Sequence, residues 1–303
     1  MPNNKFFTYT LAILAVAFWG LSYIWTKVVF NSYNPITTIF LRLALSSVIL
    51  FVVLWVLNKN EKISKKDYLS FLAMSFFSPF CYFLSEGFGL KLVSPTITSV
   101  IIATIPIFAP FLGYLVFREK ITPLNIIGFI VSFIGVAIMV FDFESGFRAS
   151  PYGVLLLFLA VLSALIYVVF LKKLALKYSP LTIVKVQNLL GTLLFLPLFV
   201  FFDFTHFISV KPSPEALWAL LKLAVFASTL AFIFHANAVK KIGIARASIF
   251  SNLIPVFTAF FAFLLLDEKL ELTKLIGIVI VITGVVLTQV SRFKFLTIQK
   301  WRA

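Results

Sequence analysis

The chain has 303 residues, of which 61% are hydrophobic and 12% are charged, and its mean hydropathy is +1.08. A soluble domain is about half apolar and a quarter charged, so this composition excludes a water-soluble fold. The net charge of +15 would suit a nucleic-acid partner in a soluble protein, but the basic residues here fall in short segments between apolar runs. That placement excludes a nucleic-acid-binding stripe.

Ten apolar runs follow one another along the chain. A helix needs about 20 mostly apolar residues to cross the hydrocarbon core of a bilayer. The runs therefore predict an all-α integral membrane protein with ten transmembrane helices. The predicted spans cover residues 8–30, 36–57, 68–90, 95–117, 123–141, 152–171, 180–202, 215–238, 243–266 and 272–290. The connections are too short for a catalytic domain, so the function has to lie within or across the membrane.

The positive charges are distributed unequally between the two sides of the membrane. Ten spans place both termini on one side, and 17 of the 26 Lys and Arg residues fall there, against 6 on the other side and 3 inside spans. Lys and Arg collect in cytoplasmic loops. The distribution predicts a multi-pass protein of the cytoplasmic membrane with both termini in the cytoplasm.

Span 1 carries a polar stripe. Its members have the spacing of a single helical face, and they are Trp19, Ser22, Tyr23, Thr26 and Lys27. One interpretation is the wall of a cavity with aromatic platforms and a cation near the outer end. The alternative is that these residues mark the membrane interface, with the Lys27 side chain extending toward water.

Span 2 contains a charge, Arg42. Under an internal offset of 145 residues it corresponds to Gln187 in span 7, which Asn188 follows. A guanidinium at this depth could bind a carboxylate-bearing substrate through two parallel hydrogen bonds. The alternative is an arginine that bonds to carbonyl groups at a helix end and holds span 2 in place.

Span 3 carries a similar polar stripe around Pro79, which includes Ser78, Tyr82 and Glu86. A carboxylate inside a membrane is costly and marks a candidate functional site. Glu86 could pair with Arg42 or Lys27, bind an amino group, or carry a proton. The alternative is an interfacial glutamate near Lys91.

Spans 4 and 9 each contain a proline in an equivalent position, Pro106 and Pro255. Proline removes a backbone hydrogen bond and bends a helix, so both are hinge candidates. The alternative interpretation is that the small residues around both prolines only allow close helix packing.

The remaining candidates are isolated. His235 in span 8 could carry a proton or could be an ordinary interfacial histidine. Cys81 is the only cysteine, and two separate histidines without a cluster of ligands predict no metal site. Nucleotide-binding loops and nucleophile motifs do not occur in the sequence, so no cofactor is expected.

The chain matches itself at an offset of 149 residues. Paired in this way are Lys91 with Lys240, Ile105-Pro106 with Ile254-Pro255, Glu119-Lys120 with Glu268-Lys269, Ile127-Gly128 with Ile276-Gly277, and Gly135-Val136 with Gly284-Val285. Each half has five spans, an odd number, so the second copy enters the membrane from the opposite face. Inverted repeats of this kind are typical of alternating-access transporters. The sequence thus predicts two five-helix repeats, at residues 1–146 and 147–303.

These motifs also resemble a known family. Trp19-Gly20 followed by Lys27, then Leu41-Arg42, Pro106 and the two Glu-Lys loops with their following glycines, is similar to the EamA-type branch of the drug/metabolite transporter superfamily. The resemblance covers nearly the whole chain. It implies ten helices around a central cavity and transport of metabolites such as amino acids, often outward.

The leading hypothesis is a secondary transporter, a monomer or a homodimer, with proton coupling through Glu86 or His235. Its cargo would bind near the midplane, against Trp19, Tyr23, Arg42, Tyr82, Glu86, Gln187, Asn188 and Asn252. An intramembrane enzyme or lipid-handling protein is a second hypothesis, and a membrane scaffold without transport is a third.

Overall fold

The computed structural model describes residues 5–56, 61–108, 121–142, 146–147, 149–242, 247 and 250–302. Seven helices in this part of the chain are long and apolar enough to cross a membrane, and three shorter apolar helices accompany them. The helices are α1 (Lys5–Val29), α2 (Pro35–Val56), α3 (Lys65–Leu92), α4 (Pro95–Phe108), α5 (Pro123–Val140), α6 (Pro151–Ala175), α7 (Pro180–Ser209), α8 (Pro214–Ala238), α9 (Ile254–Leu266) and α10 (Leu272–Arg302). Within the described residues their positions follow the predicted spans, except that α10 continues past residue 290. Residues 109–117 of predicted span 4 and residues 243–246 and 248–249 of predicted span 9 lie outside the described residues. The Glu119-Lys120 motif lies outside the described residues.

Four of the helices begin in the same way, with a serine followed by proline. The serine hydroxyl accepts a hydrogen bond from a backbone N–H in the first helical turn, which would otherwise lack a partner. Proline at the first helical position has no N–H to satisfy and already has a helical φ angle. The pairs are Ser94-Pro95, Ser150-Pro151, Ser179-Pro180 and Ser213-Pro214. The sequence therefore fixes where α4, α6, α7 and α8 begin.

Helices α5 and α10 pack against each other in antiparallel fashion through glycines. A Cβ added to Gly135 would lie 2.9 Å from the carbonyl oxygen of Gly277, and one added to Gly284 would lie 2.5 Å from that of Gly128. Gly277 and Gly284 are the repeat counterparts of Gly128 and Gly135. Each contact thus has a symmetry-equivalent contact, as expected for a two-fold axis that relates the two halves.

Helices α2 and α7 form a second antiparallel pair of repeat counterparts. At one end, Asp203 of α7 accepts hydrogen bonds from the backbone N–H of Thr37 (3.0 Å) and its hydroxyl (2.8 Å) at the start of α2. At the other end, Glu61 accepts one from the backbone N–H of Ser179 (2.9 Å) at the start of α7. The N-terminus of α2 is therefore capped by an acid near the end of α7, and the N-terminus of α7 is capped by an acid in the loop after α2.

An ion pair joins the loop before α7 to the start of α3. Lys177 Nζ lies 2.8 Å from Asp67 Oδ1, and the hydroxyl of Tyr178 donates to the same carboxylate at 2.9 Å. The hydrogen bond to Asp67 raises the pKa of Lys177 above its ordinary value.

Between the two halves of the chain, a two-residue strand β1 (Phe141–Asp142) pairs antiparallel with β2 (Gly146–Phe147). The fold is two inverted five-helix repeats.

Candidate functional site

A cavity of about 200 Å³ lies inside the helix bundle. Side chains from both halves of the chain form its wall. They are Trp19, Ser22 and Tyr23 of α1, Arg42 of α2, Ser78, Tyr82, Phe83 and Glu86 of α3, Ile102, Ala103, Ile105 and Pro106 of α4, Ala164, Tyr167 and Val168 of α6, Phe232 and His235 of α8, and Ser251 and Ile254. The wall combines aromatic rings with one carboxylate, one guanidinium and one imidazole.

Glu86 is held by two phenol groups. The hydroxyl of Tyr82, one helical turn earlier in α3, donates to Glu86 Oε1 at 2.6 Å. The hydroxyl of Tyr23 in α1 donates to the same oxygen at 3.2 Å. Hydrogen bonds to a carboxylate are shorter and stronger than those between neutral groups, so this cluster fixes the side chain in the cavity wall.

Arg42 lies on the same side of the cavity and is 5% exposed. Its Nε donates to Ser228 Oγ at 2.9 Å, and its guanidinium carbon lies 4.6 Å from the centre of the Phe83 ring. Glu86 attracts this charge electrostatically. A guanidinium has five N–H donors, and among the described residues Arg42 makes no other side-chain hydrogen bond, so the remaining donors can bind a ligand in the cavity.

Another part of the wall is aromatic. The Trp19 indole lies 5.0 Å from the His235 ring and 5.3 Å from the Phe232 ring, measured between ring centres. Such tilted and edge-on arrangements are favourable for aromatic pairs. His235 is thus part of an aromatic cluster that faces the cavity.

Helices α4 and the segment leading into α9 are interrupted at equivalent points. The α-helical pattern breaks at residues 103–104 and at residues 252–253, each directly before the Ile-Pro pair. At both breaks a backbone N–H bonds three residues back, from Thr104 to Ile101 (3.0 Å) and from Leu253 to Phe250 (2.9 Å). These breaks lie at the cavity, as discontinuous helices do at the binding sites of secondary transporters.

Helices α3 and α8 are irregular at equivalent points as well. Both contain π-helical segments, Phe76–Cys81 in α3 and Leu223–Leu230 in α8. Within the first, Ser78 has non-helical angles (φ −147°, ψ 121°) and faces the cavity. Such π-helical turns occur frequently at functional sites.

The cavity wall is built from repeat-equivalent positions. At an offset of 145, Trp19, Ser22 and Tyr23 correspond to Ala164, Tyr167 and Val168. At an offset of 149, Ile102 and Ile105 correspond to Ser251 and Ile254, Phe83 corresponds to Phe232, and Glu86 corresponds to His235. The backbone of the wall therefore follows the two-fold axis, while its charged side chains do not.

Most of the predicted site residues meet at this cavity. Those that line it are Trp19, Tyr23, Arg42, Tyr82, Glu86, His235 and Pro106. Lys27 does not, because it lies further along α1 in a second cavity. The side-chain hydrogen bonds of Glu86 in the cavity wall come from Tyr82 and Tyr23 rather than from Lys91, and Arg42 donates to the Ser228 hydroxyl rather than to carbonyl groups at a helix end.

Four predicted residues lie behind the wall. Gln187 accepts a hydrogen bond from the Tyr167 hydroxyl at 3.1 Å. Asn188 donates to Ser46 Oγ at 2.7 Å and to the Ser228 carbonyl oxygen at 3.1 Å, so it supports the segment that holds Arg42. Asn252 and Pro255 are buried at the break before α9.

Several wall residues were not predicted from the sequence, among them Tyr167 and Phe232. Tyr167 lies in a mostly apolar run and Phe232 is itself apolar, so neither stands out as part of a polar stripe. The repeat offsets identify both, because Tyr167 is the counterpart of Ser22 and Phe232 that of Phe83. In the described part of the chain, no group of three or more His, Cys, Asp or Glu residues is arranged to hold a metal ion.

Comparison with known proteins gives a family match over both halves. The model of the EamA-like transporter family matches residues 6–141 and again residues 151–290. The chain belongs to the EamA-like transporter family. The double match agrees with the pseudo-symmetric packing described above, and it confirms the resemblance seen in the sequence.

Individual relatives align with this EamA-like protein over nearly their full lengths. An uncharacterized transporter of Archaeoglobus fulgidus is 29% identical over 272 residues, covering 90% of this chain and 95% of its own. The uncharacterized transporter YetK of Bacillus subtilis is 27% identical over 288 residues, covering 94% and 87%. A solved crystal structure has the same fold, with a TM-score of 0.69, 14% sequence identity and coverage of 93% of this chain and 97% of its own. The chain is a multi-pass membrane protein of a transporter family.

Proposed function

We propose that the protein is a secondary transporter that carries small organic metabolites such as amino acids by alternating access, in the outward direction. The observation that carries this proposal is the repeat-equivalent construction of the cavity wall. Two halves of opposite orientation can exchange conformations, so the same cavity can open to either side in turn. The outward direction rests on the family resemblance.

The chemistry of the wall supports a small polar cargo. A cavity of about 200 Å³ is below the usual size of a drug-binding pocket, so it fits a metabolite of amino-acid size. Glu86 offers a carboxylate to an ammonium group, and Arg42 offers N–H donors to a carboxylate. Trp19, Tyr23 and Tyr82 provide aromatic surface for the rest of the molecule.

The breaks in the helices support a hinge at each half. A helix that is already interrupted before Pro106 and before Pro255 can bend there without losing further backbone hydrogen bonds. Movement at one break would open the cavity to one side, and movement at the other break would open it to the opposite side.

Proton coupling is part of the same proposal. Glu86 and His235 occupy equivalent positions in the two halves, and both face the cargo cavity. A group that exchanges a proton in step with the cargo has to be accessible from the cavity in both states. Both termini are proposed to lie in the cytoplasm, on the basis of the Lys and Arg distribution.

The experiment is flux of radiolabelled amino acids and related metabolites through the purified protein in proteoliposomes. We expect flux above that of empty liposomes. Replacing Ala164, the counterpart of Trp19, with tryptophan should fill the cavity and abolish that flux. Leu162→Trp on the same helix is the matched control, because Leu162 is 51% exposed on the outer surface.

Size-exclusion profiles should show that both tryptophan variants remain folded. If Ala164→Trp does not fold, Val168→Trp replaces it as the variant that fills the cavity. The proposal is wrong if no metabolite is transported, or if filling the cavity and altering the lipid-facing surface have the same effect on flux.

A further inference from the structure

A second, larger cavity of about 900 Å³ lies at the end of the bundle where α1 ends and α4 begins. We call it the peripheral cavity. Five charged side chains line it, namely Lys27, Lys91, Lys274, Glu268 and Glu271. Apolar residues cover much of the remaining wall, among them Val28, Val93 and Leu266.

Glu268 has one carboxylate oxygen without a hydrogen bond. Its side chain is 10% exposed, and its Oε1 accepts a hydrogen bond from Lys274 Nζ at 3.1 Å. Its Oε2 is buried and has no hydrogen-bond partner among the described residues. A buried carboxylate oxygen that lacks a donor costs free energy, so a ligand that supplies an N–H donor is stabilised there.

Lys27 faces the same cavity from α1 and is half-buried. Glu268 attracts its charge, yet the two do not form a direct ion pair, and Lys27 makes no hydrogen bond within the described part of the chain. The other two lysines differ from it, because Lys91 donates to Asn34 Oδ1 at 3.3 Å and Lys274 donates to Glu268. One positive and one negative group thus line the same cavity without a direct ion pair between them.

We propose that the peripheral cavity binds the zwitterionic group of an apolar α-amino acid. The carboxylate of the amino acid accepts from Lys27 Nζ, and its ammonium group donates to Glu268 Oε2. The apolar wall residues contact the side chain. This proposal rests on the proposed function in that it names the substrate class and gives it a site on the way to or from the central cavity.

The choice of a zwitterion over a simple ion follows from the charges. A lone cation would leave Lys27 without a partner and would be repelled by it, and a lone anion would leave Glu268 Oε2 without a donor. A molecule that carries an ammonium group and a carboxylate on the same carbon satisfies both groups at once. The site therefore selects against a simple amine, which lacks the carboxylate, and against a simple carboxylic acid, which lacks the ammonium group.

The test measures occupancy of the cavity directly. Asn31 lines the peripheral cavity and is exposed, so Asn31→Cys introduces a reporter thiol after the single native cysteine is removed by Cys81→Ser. The full chain is placed in lipid nanodiscs, and the rate of modification by N-ethylmaleimide is measured with L-leucine. We expect leucine to slow the reaction at least about fivefold, while 3-methylbutylamine and 4-methylpentanoate, which each lack one charge, do not.

Variants separate ligand binding from a structural role. Lys27→Met and Glu268→Gln should each raise the leucine concentration for half-protection about tenfold, since each removes one charge-assisted hydrogen bond. Lys269→Gln is the matched control, because Lys269 is exposed next to Glu268 and does not line the cavity, and it should change this concentration by less than about twofold. Lys274→Gln breaks the ion pair with Glu268 but keeps both binding groups, so protection should persist.

Absence of leucine protection overturns the proposal, as does equal protection by the amine or the acid alone. Protection unchanged by Lys27→Met and Glu268→Gln overturns it as well. The result is distinguishable from failure of the transport function. Leucine flux in proteoliposomes without protection of Asn31→Cys rejects the peripheral site only, whereas protection without any metabolite flux rejects the transport proposal only.

Discussion

Asp203 shows how one buried carboxylate joins the two repeats. It is 5% exposed, and it binds both the backbone and the hydroxyl of Thr37 at the start of α2. Its negative charge also lies at the positive end of that helix. A buried acid in this position stabilises the contact between α2 and α7 without taking part in the cavity.

We therefore expect Asp203→Asn to lower the stability of the protein. The amide keeps one acceptor oxygen but loses the charge, which should cost about 1–3 kcal/mol. Thermal unfolding in detergent measures the effect. Asp267→Asn is the control, because Asp267 is exposed and asparagine tolerates its left-handed backbone (φ 52°). Equal melting temperatures for both variants would contradict this role of Asp203.

Glu86→Gln tests the proton role at the residue scale. Glutamine keeps an oxygen that accepts from Tyr82 and Tyr23 but cannot titrate, so the cavity wall should persist while coupling is lost. We expect metabolite flux that no longer responds to an imposed pH gradient. His235→Gln, at the equivalent position of the other half, is the comparison. A pH response that survives in Glu86→Gln assigns coupling to another group.

Single residues were predicted from the sequence where they contrast with their surroundings. Glu86 and Arg42 stand out because a charge within an apolar run needs a reason. Tyr167 does not stand out, because one hydroxyl in an apolar helix is compatible with packing alone. Asn188 stands out but serves the hydrogen-bond network behind Arg42, a distinction that only the contacts reveal.

At the scale of the helices, α5 and α10 approach each other closely through glycines. A Cβ at Gly284 would overlap Ser132 Oγ and lie 2.5 Å from the Gly128 carbonyl oxygen, so alanine there forces the helices apart. We expect Gly284→Ala to destabilise the protein by about 1–3 kcal/mol. Thermal unfolding is again the measurement.

Gly87→Ala provides the control for this prediction. The nearest atom to a Cβ at Gly87 is the flexible tip of Ile39, at 3.1 Å, which can move aside. Its stability should stay within about 0.5 kcal/mol of the unmodified protein. A larger loss for Gly87→Ala than for Gly284→Ala would be inconsistent with close backbone packing at α5 and α10.

The interrupted helices make a kinetic prediction. Alanine at Pro106 or Pro255 restores a backbone N–H and favours a continuous helix, so bending at the break becomes costlier. We expect each substitution to slow counterflow in proteoliposomes about tenfold or more, with binding of the metabolite less affected. Pro123→Ala at the start of α5 is the control, because proline at a helix start does not bend it. Flux equal to that of the control would exclude a hinge at these prolines.

The helices themselves were largely predictable, whereas their irregularities were not. Apolar runs and Ser-Pro starts locate the spans, since lipid leaves the backbone few alternatives to a helix. The breaks at 103–104 and 252–253 depend on packing around the cavity. The prolines indicated a bend nearby, but the sequence alone did not indicate that the helical pattern breaks before them.

For the whole molecule, the inverted repeat predicts the sidedness of two loops. Glu119 and Glu268 are repeat counterparts, so reporters placed beside them should be accessible from opposite sides of the membrane. Impermeant thiol labelling of single-cysteine variants in a Cys81→Ser background measures this. A cysteine at Lys177, on the proposed cytoplasmic side, serves as the reference. Labelling of both loops from one side would be incompatible with inverted halves.

Glu86 and His235 occupy equivalent positions in the two halves, and this has an energetic consequence for the proposed alternating-access cycle. A carrier with chemically identical halves would have degenerate inward-facing and outward-facing forms, each occupied half of the time. A carboxylate in one half and an imidazole in the other remove that degeneracy, so the empty protein rests in one form more than the other. Apparent affinity on the disfavoured side is then reduced in proportion to the fraction of molecules that face it. Without a second gradient this bias cannot concentrate the cargo. It determines only the side of the membrane to which the cavity of the empty carrier opens for most of the time.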